Sequence, residues 1–368
     1  MSQYEDFPMP EDYPDYPSHT QVLAYFQSYA RHFDLEKYIR FNTEIKKVIK
    51  KENETWEITK GDSSSEIFDY LIVANGHHAV LRHPDFASDF KGEYLHSHDF
   101  KNNSPFKDKR VLVVGVGNSG CDYASEISRV ADYVAMSIRT PQYIIPKFLM
   151  GKPVDVAANI IYKIPKFMRP LVQRISIAIQ LGSYKSYGLE TPKHKLLEAH
   201  PTINSEVLYK IKHGKISPKK GIEKVEEKQV RFTDGQVEEF DVLLAATGYK
   251  IVTSFFDKDF LDYSEADEVP LYLRMFHTKH PSLFFIGLFQ PQGAIWPCAD
   301  RQAKIAANKI MGWYKIPNNI EQLALKDSAD INKRFLSRKR HTIEVDYHDF
   351  MDELKKEIPK DAPLWKVV

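Results

Sequence analysis

Arg110-Val111-Leu112-Val113-Val114-Gly115-Val116-Gly117-Asn118-Ser119-Gly120 reads as an apolar strand running into a G-x-G-x-x-G turn. A helical pattern, Cys121 to Ile127, follows at once. That order of strand, turn and helix is what makes a glycine pattern credible as a dinucleotide site. The first glycine allows the tight turn, the second lets the backbone approach a pyrophosphate, and the third lets helix and strand pack closely. The helix N-terminus adds free N–H groups and partial positive charge. Gly115, Gly117, Asn118, Ser119 and Gly120 are therefore the candidates to cradle the phosphates.

An NAD-type unit places an acid roughly 20 residues after the first glycine. Here the next strand reads Tyr133-Val134-Ala135-Met136-Ser137-Ile138-Arg139, with Ser137 where the acid would stand. A hydroxyl and a guanidinium suit a 2′-phosphate that a carboxylate would repel. Ser137 and Arg139 thus favour NADPH over NADH.

The chain has 368 residues, 51 Lys and Arg against 50 Asp and Glu, and two cysteines, Cys121 and Cys298. The near-zero charge gives no reason to expect nucleic acid as a partner. Two distant cysteines outside any C-x-x-C make a disulfide framework or redox dithiol a poor reading, and a reducing, cytoplasmic setting is expected. No apolar run is long enough to span a bilayer. His77 and His98 have no metal-like spacing, so no metal is expected.

The stretch 141–195 is basic and partly apolar, with Lys147, Lys152, Lys163, Lys166, Arg169, Arg174 and Lys185. Within it, 160–181 is expected to form helices with a basic face. These either solvate their charges or make weak membrane-surface contact.

Around these landmarks the organisation is regular. A helix is expected from Thr20 to Phe33, after an irregular lead-in. Short strands are expected at Ile39–Asn42, Ile45–Ile49 and Thr55–Thr59. Phe68-Asp69-Tyr70-Leu71-Ile72-Val73-Ala74-Asn75-Gly76 reads as a buried strand ending at a glycine, and Phe240-Asp241-Val242-Leu243-Leu244-Ala245-Ala246-Thr247-Gly248 repeats its design. A second meander, 215–237, turns at Asp234-Gly235. Leu283 to Gly287 is a further strand, leading through a loop to a helix from about Ala299. The fold class expected is α/β, with two dinucleotide-binding, Rossmann-like domains.

These residues resemble the flavin-containing monooxygenases, two-domain class B flavoprotein monooxygenases. Phe90 to Phe100 fits the family pattern F-x-G-x-x-x-H-x-x-x-(F/W/Y) through Phe90, Gly92 and His96, just ahead of the glycine motif. Ala246-Thr247-Gly248-Tyr249 matches the late A-T-G-Y element, and Asn75-Gly76-His77-His78 resembles its earlier counterpart. The resemblance departs at one point. Family members begin with an FAD-binding strand–turn–helix carrying its own G-x-G-x-x-G, and no such fingerprint precedes Gly115. The FAD domain is therefore expected to be N-terminally incomplete, and no residue takes the part of the family's active-site asparagine, so the catalytic residues stay unknown.

The resemblance implies FAD and NADPH as cofactors. It implies transfer of one oxygen of O2 to an amine nitrogen or sulfide sulfur through a C4a-hydroperoxyflavin. It implies domains at 1–104 (FAD, first part), 105–245 (NADPH), 246–330 (FAD, closing part) and a tail, 331–368. Asn75, Gly76, Thr247 and Gly248 would line the passage near the cofactors, although glycines also end many strands for purely local reasons. Gln290, Gln292 and Gly293 would approach the flavin, and Ile45 would touch its adenine. His96 either links NADPH binding to domain arrangement or is a satisfied structural residue. A truncated monooxygenase is the first reading. A non-catalytic NADPH-binding remnant, an obligate subunit awaiting a completing polypeptide, a homo-oligomer, an N-hydroxylase and a Baeyer–Villiger monooxygenase are the alternatives.

Overall fold

The computed structural model describes residues 2–149, 151–165, 167–196, 198–335 and 342–359. Lys166 and part of the expected tail thus lie outside the described residues. The chain folds as two compact units, one from residues 1–77 with 251–368, the other from 78–250. The crossings fall just after Gly76 and Gly248, both in the left-handed region at φ +72° and +83°. Only glycine enters that region without strain, so each marks a deliberate change of direction.

The 78–250 unit is built on a five-stranded sheet in the order Ser217–Lys219, Tyr133–Ser137, Arg110–Val114, Val242–Ala245, Glu93–His96. Every pairing in it is parallel. Parallel strands are covered on both faces and so read as continuous apolar runs. Val111, Val113, Val242 and Leu244 face the helix Asn118–Ile127, burying Cys121, Ala124 and Ile127 with them. Leu112, Leu243 and Ala245 face the meander Ile222–Glu226, Gln229–Phe232, Val237–Glu239, through Val225, Val230 and Phe232. The Asp234-Gly235 turn closes this meander, with Gly235 at φ +84°. The Phe90–His96 stretch belongs to this unit, not to the first part of the FAD domain where the sequence reading put it. Its strand pairs with Val242–Ala245, and that lateral pairing outweighs its early place in the chain.

The other unit repeats the plan in part. Its sheet runs Leu271–Tyr272, Phe276–His277, Leu283–Phe285, Leu71–Val73, with the last pair parallel. The meander Ile45–Lys50, Trp56–Lys60, Ser65–Phe68 packs Val48 and Trp56 on Leu71 and Val73. Trp56 is fully buried, and its indole donates to Ser282 Oγ at 3.0 Å. Ile39–Asn42 is not a strand: a turn of 3-10 helix spans Glu36–Tyr38 and Asn42 sits at φ +54°. The helix His19–His32 is capped by Ser18, whose hydroxyl accepts from Gln21 N while Gln21 Oε1 accepts from Ser18 N. Its buried anchor is Tyr25, which donates to Phe7 O at 2.6 Å.

The expected tail is part of this unit's core. Helices Ile320–Arg334 and Tyr347–Glu357 bury Ala324, Phe350 and Leu354 with Phe289 and Ile305. Arg274 is buried near Asp327 and Glu353, which lie on these two helices. Burial first, then Asp327, pushes Glu353 up to about 7, with Arg274 acting in the opposite sense. The folded state therefore holds this proton between the ordinary carboxyl range and about pH 7, and the charged form costs stability above that. Glu353→Gln is expected to raise the melting temperature by a few degrees at pH 8, on the order of 2 kcal/mol, and to leave it unchanged at pH 4.5. Calorimetry at the two pH values checks this.

Candidate functional site

The sheet of the 78–250 unit sets the site, because dinucleotides bind beyond the carboxyl ends of parallel strands. Arg110–Val114 ends at Gly115, whose φ of +116° only glycine adopts freely. A Cβ there would lie 2.6 Å from Ala246 O, and a Cβ on Gly120 would lie 2.3 Å from Gly115 O. Both glycines are thus demanded by close backbone approach. Gly117 caps the following helix with extended backbone, and Cys121 N donates to Gly117 O at 3.0 Å. Asn118 and Ser119 are exposed at the helix start. Cys121 itself is buried and its thiol is pushed up by burial, so it is not a reactive group.

The turn is braced from about 85 residues along the chain. Thr202 Oγ1 donates to Val116 O at 2.7 Å, and Ile203 N donates to Asn118 Oδ1 at 2.7 Å. Buried Asn204 donates to Asp122 Oδ1 at 2.7 Å while its own Oδ1 accepts from Glu206 N and Val207 N. The sequence reading missed Thr202 and Asn204: no local pattern marks a brace that distant. Asp241 was visible only as an acid opening a strand. It accepts from Arg110 N at 3.0 Å and its own N donates to Arg110 O at 2.9 Å, clamping the start of the glycine strand.

Ser137 lies beside the turn, its carbonyl accepting from Gly115 N at 3.1 Å. Its side chain is buried and donates to Lys220 O at 3.0 Å. Arg139 is exposed, packs over Gly221 and has no ion-pair partner among the described residues. Of the two, the guanidinium is the group left to donate to a phosphate. Phe90 is buried in the meander-side core, and a Cβ on Gly92 would meet Asp241 O at 2.6 Å. His96 is buried at the end of its strand; its Nδ1 accepts from His98 N at 3.2 Å and its ring packs edge-on to Tyr249. Burial first, then neighbouring His83, lowers its pKa. Thr247 donates to Arg82 O, and Arg82 N returns a bond to Gly248 O at 3.0 Å.

In the other unit the candidates gather at the ends of its two parallel strands. Asn75 and Gly76 line a space of ≈ 10 Å³, enough for about one water, with Thr253 and Leu288 among its walls. His77 Nε2 lies 3.3 Å from Gln290 Oε1. Burial lowers the His77 pKa. Gln290 N and Gln292 N donate to Ile343 O and Val345 O at 2.7 and 3.0 Å, and Gly293 is held where a Cβ would strike Tyr347 at 2.8 Å. Ile45 stands apart from these strand ends, opening the meander opposite Lys60.

Two α/β units, one with a complete glycine-turn dinucleotide site, define a nucleotide-dependent oxidoreductase of the two-domain flavoprotein type. Residues 1–367 match the family model described as FMO-like, flavin-binding monooxygenase-like. The chain belongs to this family. It is 34% identical to mouse flavin-containing monooxygenase 5 over 96% of this chain and 70% of that protein. It is 33% identical to mouse dimethylaniline monooxygenase [N-oxide-forming] 2, over 97% and 71%. The S-allyl-L-cysteine S-oxygenase of Allium sativum shares the fold at a TM-score of 0.68 and 20% identity, over 97% of this chain and 71% of that one. A cyclohexanone monooxygenase bound to epsilon-caprolactone shares it at 0.69 and 16%, over 93% and 83%.

The residues fit a nicotinamide dinucleotide: the turn is a cradle that side chains would fill. The unit of residues 1–77 and 251–368 presents strand ends and the Gln290–Gly293 loop, and among its described residues no glycine turn opens a helix beside Leu71–Val73. Gly120→Ala is expected to force the turn open, weaken any dinucleotide held there at least tenfold, and lower the melting temperature, as titration calorimetry and thermal denaturation would show.

Proposed function

We propose that this chain binds NADPH at Gly115–Gly120 and works with FAD as a monooxygenase, placing one oxygen of O2 on an amine nitrogen or a sulfide sulfur. The observation that carries the reading is the Gly115–Ala246–Gly120 contact, a backbone cradle at the carboxyl ends of parallel strands. Gly117, Asn118 and Ser119 offer helix-start donors to the pyrophosphate, and Arg139 takes the 2′-phosphate. Family membership supports the flavin, and the names of the two mouse relatives support the reaction class. Asn75, Gly76, Thr247, Gly248, Gln290, Gln292 and Gly293 are the residues assigned to the cofactor approaches, with Ile45 toward the adenine. Phe90 and Gly92 seat the strand that carries His96, which we assign to positioning Tyr249.

The test is the visible spectrum of the purified chain with added FAD, followed by NADPH oxidation with dimethylaniline and an organic sulfide. A bound-flavin spectrum and substrate-dependent turnover are expected; NADPH binding without flavin at saturating FAD would leave a nucleotide-binding subunit. Arg139→Ala is expected to raise the NADPH dissociation constant by about tenfold, roughly 1.4 kcal/mol, while leaving NADH binding unchanged. A titration with both nucleotides reads this directly.

A second reading concerns the helices Val154–Tyr162 and Arg169–Leu181. Phe167 is 84% exposed and Ile179 75%, with Ile160 and Leu171 also exposed. Arg169 is spent on Tyr162 O and Ile164 O, which leaves Lys163 and Arg174 for an anionic surface. No described helix is long and apolar enough to cross a membrane. Weak surface contact is the proposal. Flotation with anionic vesicles is expected to be lost in a Phe167→Ser/Ile179→Ser variant.

A further inference from the structure

In a dinucleotide site the adenosine ribose sits at the end of the strand that follows the glycine helix. Here that end is shared with a neighbour. Tyr133–Ser137 and the edge strand Ser217–Lys219 run parallel, with Ser137 opposite Lys219. Lys220 is therefore the first residue beyond the carboxyl end of the edge strand. Two bonds fasten the strand ends together: Ile138 N donates to Lys219 O at 2.9 Å, and Ser137 Oγ donates to Lys220 O at 3.0 Å. A Cβ on Gly221 would lie 3.4 Å from Arg139 Cα, so the chain at Lys220 and Gly221 passes against the residue assigned to the 2′-phosphate.

Successive side chains along a strand point to opposite faces. Lys219 turns toward the meander, where its ammonium meets Glu238 and donates to Gln236 Oε1 at 3.0 Å. Lys220 turns the other way and pairs with Glu190. Glu190 follows Leu189, which is buried in the core on the helix side of the sheet. Lys220, first through its hydrogen bond and then through its charge, holds the Glu190 carboxyl below the usual carboxylate range, and Lys193 acts in the same sense. The acid is thus charged at neutral pH. Both partners stand open to water, with the Lys220 side chain 44% exposed and that of Glu190 59%. Such a pair is weak, because water screens it and two long side chains must be ordered to make it.

We propose that Lys220 is a second ligand of the nucleotide's 2′-phosphate and that Glu190 is the latch which holds it until that phosphate arrives. The ammonium exchanges one carboxylate for a phosphate monoester, which carries about two negative charges at pH 7 and three acceptor oxygens. A nucleotide with a free 2′-hydroxyl offers no charge in exchange, and the pair stays closed against it. Arg139 brings a planar fork of fixed donors, whereas Lys220 brings a point charge on a flexible stem that can swing between two anions. Lys220 therefore adds to the preference for the phosphorylated nucleotide, and Glu190 competes with the phosphate for the same ammonium. The inference rests on reading Gly115–Gly120 as an NADPH site.

The probes are NADPH and NADH, which differ only in the 2′-phosphate, titrated into the whole chain without flavin. Lys220→Gln is expected to weaken NADPH binding about tenfold, the scale of a hydrogen bond to a charged group, and so to lower the preference over NADH by the same factor. Glu190→Gln is expected to tighten NADPH binding about threefold, the scale of an exposed ion pair, with NADH unmoved. The double variant is expected to match Lys220→Gln alone, since an acid that acts only by holding a lysine has no effect once that lysine is neutral. A general charge effect of Glu190 would persist in the double variant. Both side chains are exposed, so all three variants are expected to melt with the parent chain. A nucleotide preference indifferent to Lys220→Gln would overturn the proposal, as would a Glu190→Gln variant that fails to tighten NADPH or tightens it equally without Lys220. An unaltered chain that binds both nucleotides equally, or neither, would instead overturn the NADPH reading and this proposal with it.

Discussion

A short parallel strand in a buried sheet must satisfy its backbone on both edges, since water cannot reach it to do so. The Val242–Ala245 strand meets that demand, and most of the 78–250 unit is arranged around it. On one side it pairs with Arg110–Val114, whose far end is the glycine turn. On the other it pairs with Glu93–His96, which brings His96 into the same sheet, while Phe90 just before it joins the meander-side core. Asp241 fixes the register by gripping Arg110 through two hydrogen bonds. With the strand start held, the position of Gly115 against Ala246 follows, and the phosphate cradle with it. A site made of backbone is only as precise as the strands that present it.

Distant polar side chains finish that precision. The loop of Thr202, Ile203 and Asn204 returns to Val116, Asn118 and Asp122 with three bonds of 2.7 Å. Asn204 also caps the next helix, so the brace is itself anchored. Buried polar groups of this kind are retained only when fully bonded, because an unmet donor or acceptor costs about 1–3 kcal/mol. Asp122 shows the tension: burial raises its pKa while Lys147 and Asn204 act to lower it. In the other unit the Gln290–Gly293 loop is held by Ile343, Val345 and Tyr347, which makes the chain's later residues part of the loop's geometry.

What the sequence disclosed depended on how local the cause was. The glycine turn was legible because strand, turn and helix are contiguous and each residue answers a steric demand of its neighbours. The Asp234-Gly235 turn and the twin strands were legible for the same reason. The place of Phe90–His96 was not, because it is settled by pairing with residues about 150 positions on. Ile39–Asn42 carries strand-like residues, but Asn42 turns the chain in the left-handed region before any partner is met. The late helices looked like a charged tail because their polar faces dominate the composition, while a few positions, Ala324, Ile331, Phe350 and Leu354 among them, report the burial. Ser137 stood at the expected position, yet its proton is claimed by Lys220 O, a bond across some 80 residues that no local pattern announces.

The internal repeat sharpens the difference between the two units. In the 78–250 unit Asp241 grips Arg110, and Val242 and Leu244 lie beneath the helix that follows the glycine turn. In the other unit Asp69 is exposed, Tyr70 and Ile72 are 37% and 42% exposed, and only Leu71 and Val73, toward the meander, are buried. One sequence pattern therefore meets two surroundings, and what each side chain buries is decided by the neighbours the strand finds and not by the pattern itself.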